Sequence, residues 1–296
     1  MSDIDIAWEP GAHRYFVLDV FTDTPLCGNQ LAVFASGESF DGAQMQRIAR
    51  ELQLSETVFL LAPESGGDAR ARIFTPAVEL PFAGHPVLGT AFVLAMAKGL
   101  DEVALETGAG VIPVTLERTG EVVTSGRMVQ PMPTWEPFER AAELLEAVGV
   151  AGSSLPLIAY TNGPVHVYVV LEDERAVAEL RPDGRALESL GAVCVSCLAA
   201  REAPGAGGTR SWKTRMFAPA MGVPEDSATG SGAGPLALHL ARHGRIAFGE
   251  EIEIHQGAEI GRPSLLRARV HGTPEAVERI EVGGSAVLVA RGEFRL

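Results

Sequence analysis

Phe74-Thr75-Pro76-Ala77-Val78-Glu79-Leu80-Pro81 and Phe217-Ala218-Pro219-Ala220-Met221-Gly222-Val223-Pro224 are two copies of one pattern, with Phe, Pro, Ala and Pro at identical offsets. The first copy continues through Phe82-Ala83 into Gly84-His85-Pro86 and an apolar run over 87–96. The second continues through Glu225-Asp226-Ser227-Ala228-Thr229 into Gly230-Ser231-Gly232 and an apolar run over 233–240, with three more residues ahead of its glycine. A repeat of this length predicts a duplicated half-domain. Each half aims a helix N-terminus, with its free N–H groups and partial positive charge, at a shared space. Two such ends facing one cleft suit a small anion such as a carboxylate. His85, Asp226 and Ser231, beside them, are candidate chemistry.

Outward from the repeat, the first half reads as strands over 15–21, 31–34, 56–61 and 69–74, with a helix over 41–52 whose apolar residues share one face and whose N-cap is Asp41. Pro86 sits near the first helical position, where its missing N–H costs nothing. Strands follow over 103–107, 111–117 and 121–130, and Pro131-Met132-Pro133 then marks a domain boundary. Beyond it helices are expected over 140–148 and 173–180, and strands over 165–171, 193–198, 212–217, 251–256 and 266–270. The stretch 203–208 (Ala-Pro-Gly-Ala-Gly-Gly) reads as a flexible loop. Strands outnumber helices without regular alternation, which speaks against a Rossmann-type sheet. The expected fold class is α+β: two similar halves, each a sheet curled round one central helix.

Size and composition agree with this reading and exclude others. A chain of 296 residues favours two domains over one core. No apolar run approaches 18 residues and no charged-then-apolar leader is seen, so neither a membrane span nor a secretory signal is expected. Three cysteines fit a reducing cytoplasm better than a disulfide framework. A net charge of −14 disfavours nucleic acid or an anionic membrane as partner, without forbidding a small anion held by local dipoles.

Each candidate has a plainer reading beside it. Glu56, in Leu54-Ser55-Glu56-Thr57-Val58-Phe59, is from local context alone a solvated carboxylate opening a strand. As general acid or base, it would be desolvated by Leu54, Val58 and Phe59 and its protonated form favoured. Asp226 is fully explained as the cap of a helix start, yet the density of Asp, Ser and Thr before Gly230 exceeds what capping needs, and both readings stand. His85 is either a half-buried helix-end histidine or a neutral proton-transfer partner, its pKa lowered by the dipole. Other signals carry little. Cys194-Val-Ser-Cys197 lies in an apolar strand-like run, not at a helix start. With only Cys27 besides, a four-cysteine zinc site is impossible. His239-Leu-Ala-Arg-His243 lacks the glutamate of a metalloprotease helix and occupies a last turn where positive charge is welcome. Gly230-Ser-Gly232-Ala-Gly234 follows no expected strand and makes a poor dinucleotide fingerprint. No metal, nucleotide or flavin is expected.

At these residues the sequence resembles the PhzF family, the isomerases of phenazine biosynthesis, within the wider diaminopimelate-epimerase-like superfamily. The resemblance runs nearly end to end. It rests on Gly28-Asn29, Met45-Gln-Arg-Ile-Ala-Arg-Glu51, Leu54-Ser55-Glu56, Phe74-Thr-Pro76 and Glu79-Leu-Pro-Phe-Ala-Gly-His-Pro86. It continues through Asn162-Gly-Pro164, Glu225-Asp-Ser-Ala-Thr-Gly-Ser231, Leu240-Ala-Arg-His-Gly244, Gln256-Gly257 and Gly261-Arg-Pro-Ser264. It implies two pseudo-symmetric domains: residues 1–130, completed by C-terminal strands over 280–296, and residues 131–279, with the active site in the cleft between them. It further implies a homodimer that works without cofactor or metal. The implied reaction isomerises trans-2,3-dihydro-3-hydroxyanthranilate, a small carboxylate-bearing ring, to its ketone tautomer. The family's catalytic positions fall on Glu56, His85, Asp226 and Ser231. Asn29, Ser55, Gly84 and Gly230 fall on positions that shape the pocket or offer backbone N–H groups. Gln30 departs from the proline usual after Gly-Asn and bears on substrate fit. The related racemases use a cysteine in each half; the Gly84-His85 and Gly230-Ser231 segments occupy those places, which disfavours a two-thiol racemase. An isomerase or epimerase of another small amino or hydroxy acid stays open, as does a non-catalytic binding protein on the same fold.

Overall fold

The structure is a computed structural model and describes residues 12–296; residues 1–11 of the expected first half-domain lie outside the described residues. The chain opens with β1 (His13–Val20), β2 (Asn29–Phe34), α1 (Gly42–Leu52), β3 (Glu56–Leu61), β4 (Ala69–Phe74) and β5 (Glu79–Leu80). The helix α2 (Gly84–Lys98) follows, then β6 (Glu102–Thr107), β7 (Gly110–Thr119) and β8 (Val122–Val129). The same series then recurs: β9 (Thr134–Pro137), α3 (Ala141–Val148), β10 (Ile158–Thr161), β11 (Val165–Val170), α4 (Glu174–Ala178), α5 (Gly184–Ser189), β12 (Val193–Ala200), β13 (Arg210–Ala218) and β14 (Val223–Asp226). It closes with α6 (Gly230–Arg242), β15 (Glu251–Gln256), β16 (Ser264–Gly272), β17 (Val277–Gly284) and β18 (Ala286–Phe294).

Strand pairing shows the duplication directly, because every pair in the first half recurs nine strands later. β2 runs parallel to β3, as β11 does to β12. β4 lies antiparallel to β3 and β5 and parallel to β6, and β13 stands in the same relations to β12, β14 and β15. The series is circular: β18 returns to pair with β1, as β9 pairs with β10. β8 and β17, equivalent to each other, pair across the pseudo-twofold.

Each sheet has an inner and an outer face, and the side chains follow. Along β7 burial alternates, with Ile112, Val114 and Leu116 inward, as a strand with one buried face requires. α2 is apolar all round, and every residue from Gly84 to Ala95 is buried, the pattern of a helix at the centre of a core. α6 is likewise buried from Gly230 to Ala241. The two helices share one core, in which Leu88, Phe92, Leu236 and Leu240 all take part. On the outer faces α1 packs Met45 and Ile48 against Phe34, Phe59 and Phe74, while Leu144 of α3 and Leu187 of α5 join Val167, Val195 and Phe217. The repeated phenylalanines thus anchor equivalent outer layers.

Some local expectations hold and others need correction. Asp41 caps α1 in a full capping box with Gln44, and Pro86 stands third in α2, within the first turn, where its missing N–H costs no intrahelical bond. A short strand, β14, does precede Gly230; only four residues long, it is too weak a pattern to read from sequence. The glycine-rich stretch at 203–208 is tied down: Ser211 Oγ donates to the Ala203 carbonyl, and a 3₁₀ turn over Ala206–Gly208 starts where the Ala206 N–H meets Glu253. No described helix is long and apolar enough to cross a membrane.

Candidate active site

The N-termini of α2 and α6 meet head to head. Neither has a side-chain cap, so their first N–H groups remain free to serve a ligand. The approach is so close that a Cβ at Gly84 would lie 2.6 Å from the Ser231 nitrogen and collide with the Gly230 carbonyl carbon. A Cβ at Gly230 would lie 2.8 Å from the His85 nitrogen. Glycine is therefore required here for contact rather than for backbone freedom.

At this junction lies a cavity of about 50 Å³. Seven of the eight expected site residues line it: Ser55, Glu56, Gly84, His85, Asp226, Gly230 and Ser231. The eighth, Asn29, stands behind. It is buried at the start of β2 and donates to Asp226 Oδ1 (2.8 Å) and the Ala228 carbonyl (2.9 Å), reaching from the first half into the second.

Glu56, the first residue of β3, brings Oε2 to 3.0 Å from His85 Nε2. The contact is ionic in distance, but its angles fall short of a hydrogen bond, and neither atom has another hydrogen-bond partner. His85 is buried and Glu56 half-buried, and beyond this mutual contact the two facing atoms have no polar partner, an arrangement that lets a ligand complete them. Burial opposes charge on His85 most strongly, yet Glu56, through its negative charge and its close polar contact, outweighs it together with the charge of Asp226 and a backbone hydrogen bond with Gln30. The pKa of His85 is raised, not lowered as the helix dipole alone suggests. Two carboxylates close by exceed the half-charge of a helix end.

Asp226 is not the helix cap; Thr229 holds that position. Its carboxylate accepts from Asn29 at one oxygen and from Thr229 Oγ1 at the other (2.8 Å). Burial, then the charge of Glu56, push its pKa up, against the pull of His85, Thr229 and Asn29. Gln256 completes the frame, its Nε2 donating to the Asp226 carbonyl (2.9 Å) and to Thr229 Oγ1 (2.8 Å). Thr229 and Gln256 received no role from the sequence. Gln256-Gly257 is among the quoted motifs, but nothing local says that a residue at the end of β15 buttresses Asp226.

The remaining sequence signals resolve by burial. Cys194 and Cys197 are buried in β12, with thiols pushed up to about 12 by desolvation, Cys194 further by Asp226 and Glu56 and Cys197 pulled back by Arg215. His239 is fully buried, and burial with the neighbouring His243 and Arg242 lowers its pKa to about 3; it brings no positive charge to the last turn of α6. Among the described residues no three His, Cys, Asp or Glu side chains are grouped to hold a metal.

The repeat also pairs residues across the cavity. Thr57 faces Phe74 in the β3–β4 ladder and Val195 faces Phe217 in the β12–β13 ladder, which superposes Glu56 on Cys194. Thr75 likewise matches Ala218, Leu80 matches Val223, Gly84 matches Gly230 and His85 matches Ser231. All ten line the cavity.

Comparison with known proteins adds the following. Residues 18–292 match the family model described as phenazine biosynthesis-like protein (PhzC-PhzF). A trans-2,3-dihydro-3-hydroxyanthranilate isomerase from Pseudomonas aeruginosa is 52% identical over 284 residues, covering 96% of this chain and all of that protein. Among solved structures, a predicted epimerase from Pseudomonas aeruginosa is 33% identical with a TM-score of 0.78, covering 95% of this chain and 99% of its own. A PhzF-family phenazine biosynthesis protein from Bacillus anthracis shares the fold, with a TM-score of 0.84 at 23% identity over 97% of this chain and all of its own.

Proposed function

The chain belongs to the phenazine biosynthesis-like PhzF family, and we propose that it isomerises trans-2,3-dihydro-3-hydroxyanthranilate to its ketone tautomer in phenazine biosynthesis. Relatives of that activity match it at 50% to 52% identity over their whole lengths. The observation that carries the chemistry is the Glu56–His85 pair, whose facing atoms have no other polar partner, beside two helix N-termini.

The substrate is a cyclohexadiene bearing a carboxylate, an amine and a hydroxyl. Glu56 takes the proton from C3, the carbon that carries the hydroxyl, and the electron pair delocalises over the diene. The proton returns at C1, the carboxylate-bearing far end, and the enol left at C3 becomes the ketone. Atoms balance with no external acid, base or redox partner. The helix N-termini hold the carboxylate through free N–H groups. Asp226, in its frame of Asn29, Thr229 and Gln256, takes the amine. His85, its proton favoured by the surrounding carboxylates, stabilises negative charge developing on the hydroxyl-bearing carbon. Ser231 assists in holding the substrate. Ser55, Gly84 and Gly230 shape the pocket. Proton NMR in deuterated buffer tests this reading: wild type converts the substrate with deuterium entering the product, and Glu56→Gln does not. Conversion by the variant at a comparable rate would remove Glu56 from the mechanism.

We assign the two half-domains to residues 1–130 with 280–296 and to 131–279, and place the enzyme in the cytoplasm as a homodimer. Sedimentation at the mass of two 31.2 kDa chains is expected; a monomer at micromolar concentration contradicts the dimer.

A further inference from the structure

The cavity is symmetric in backbone and asymmetric in chemistry, and the residue that stands where a second base belongs is Cys194. It is 3% exposed and lines the cavity from β12, at the position equivalent to Glu56. Its neighbours form a small cluster separate from the main cores: Met216, Ala218, Met221 and Val223, every one of which also faces the cavity. Sγ lies 3.7 Å from Met221 Sδ. The opposite wall carries Glu56 and His85, whose facing atoms have no polar partner beyond each other. A ligand that completes those two groups must therefore rest its other side on Cys194 and the methionines. The wall is soft and polarisable, suited to the face or edge of an unsaturated ring. The thiol stays un-ionised there, so it presents volume rather than charge.

We propose that Cys194 is a specificity-determining residue that gauges the ring substituents the cavity admits. This rests on the isomerase reading for the identity of the ring but not for the gauging itself. The cavity is small, about 50 Å³, and Cys194 forms part of its wall, so a change of side-chain volume at this position is felt by whatever fills it. A single methyl group in an apolar pocket typically changes selectivity by about 10- to 200-fold.

The test uses the full chain and a probe that cannot react: 3-hydroxyanthranilate, whose C3 carries no proton to lose, together with its 4-methyl and 5-methyl homologues. Calorimetric affinities for the three give a selectivity ratio. Cys194→Ala should shift that ratio toward at least one methyl homologue by about tenfold or more. Cys194→Leu should weaken binding of the parent ring by a similar factor. Cys194→Ser, nearly isosteric, should keep the wild-type ratio within about twofold even if its thermal stability falls, which separates volume from a general structural effect. Ratios within about twofold of wild type for both Ala and Leu overturn the proposal, as does failure of the wild type to bind any of the three. If wild type binds with Cys194-dependent selectivity yet leaves trans-2,3-dihydro-3-hydroxyanthranilate unchanged, the reaction assignment falls and the gauge stands.

Discussion

The two walls of the cavity descend from one sequence pattern and now do different things. The first half contributes Glu56, Thr75 and His85; the matching positions of the second hold Cys194, Ala218 and Ser231. What survives in both is backbone: the abutting glycines, the uncapped helix starts and the strands that deliver them. The acid of the second half, Asp226, lies in the stretch between its proline and its glycine, which is three residues longer than Phe82-Ala83 of the first copy. In the ladder it faces Met216 where Leu80 faces Ile73, an acid in place of an apolar side chain. Duplication supplied two uncapped helix ends facing one cavity. Divergence then left an acid and an imidazole on one side and a thiol and a hydroxyl on the other, and under the proposed mechanism the first side transfers the proton while the second packs against the ligand.

Substitutions can break this contrast. The largest effect is expected at the reacting pair: Glu56→Gln should lower turnover by about 10³-fold or more with ligand binding nearly unchanged. The matched pair of helix-end residues comes next. His85→Ala should cost about 10²-fold in kcat/KM and Ser231→Ala less than about tenfold, so that equal losses would deny the division of labour. The glycines probe what stayed symmetric. Gly84→Ala and Gly230→Ala should each destabilise by about 1–3 kcal/mol in chemical denaturation, since each Cβ meets backbone of the opposing helix. A cost at one position alone would mean that the helix starts are not equivalent.

The smallest effect concerns protons. His85 titrates above its ordinary 6.5, and Glu56 is the largest force holding it up. In Glu56→Gln the NMR titration midpoint of His85 should therefore move down. The sign for stability follows: a raised folded pKa stabilises fully below the unfolded value, and that contribution is lost as pH rises through the folded one. The variant should thus lose the most stability relative to wild type on the acid side of the His85 midpoint. A midpoint that stays put would mean that Asp226, not Glu56, sets the charge of the imidazole.

How much of this could be read from the chain depends on distance along it. The repeat, the capped α1, most of the strands and the glycine-led helices are local patterns of periodicity and turn chemistry, and they are legible. So are the candidate residues Glu56, His85, Asp226 and Ser231, because each sits in a motif. Asn29 supporting Asp226, Gln256 bracing Thr229 and Cys194 standing opposite Glu56 join residues far apart in sequence. No short window contains them.

His85 shows why the remainder had to wait. Its place at a helix start is a property of the sequence, and the dipole of that helix points to a lowered pKa. The sign reversed because folding brings Glu56 and Asp226 against it in a water-poor cavity, where nearby full charges outweigh a partial one. The sequence by itself determined the duplicated α+β architecture and which residues were available for chemistry. Only the tertiary structure decided which of them meet, which stay unpaired and which way His85 and Asp226 shift in acidity, because burial and Coulomb interactions depend on neighbours in space rather than in sequence.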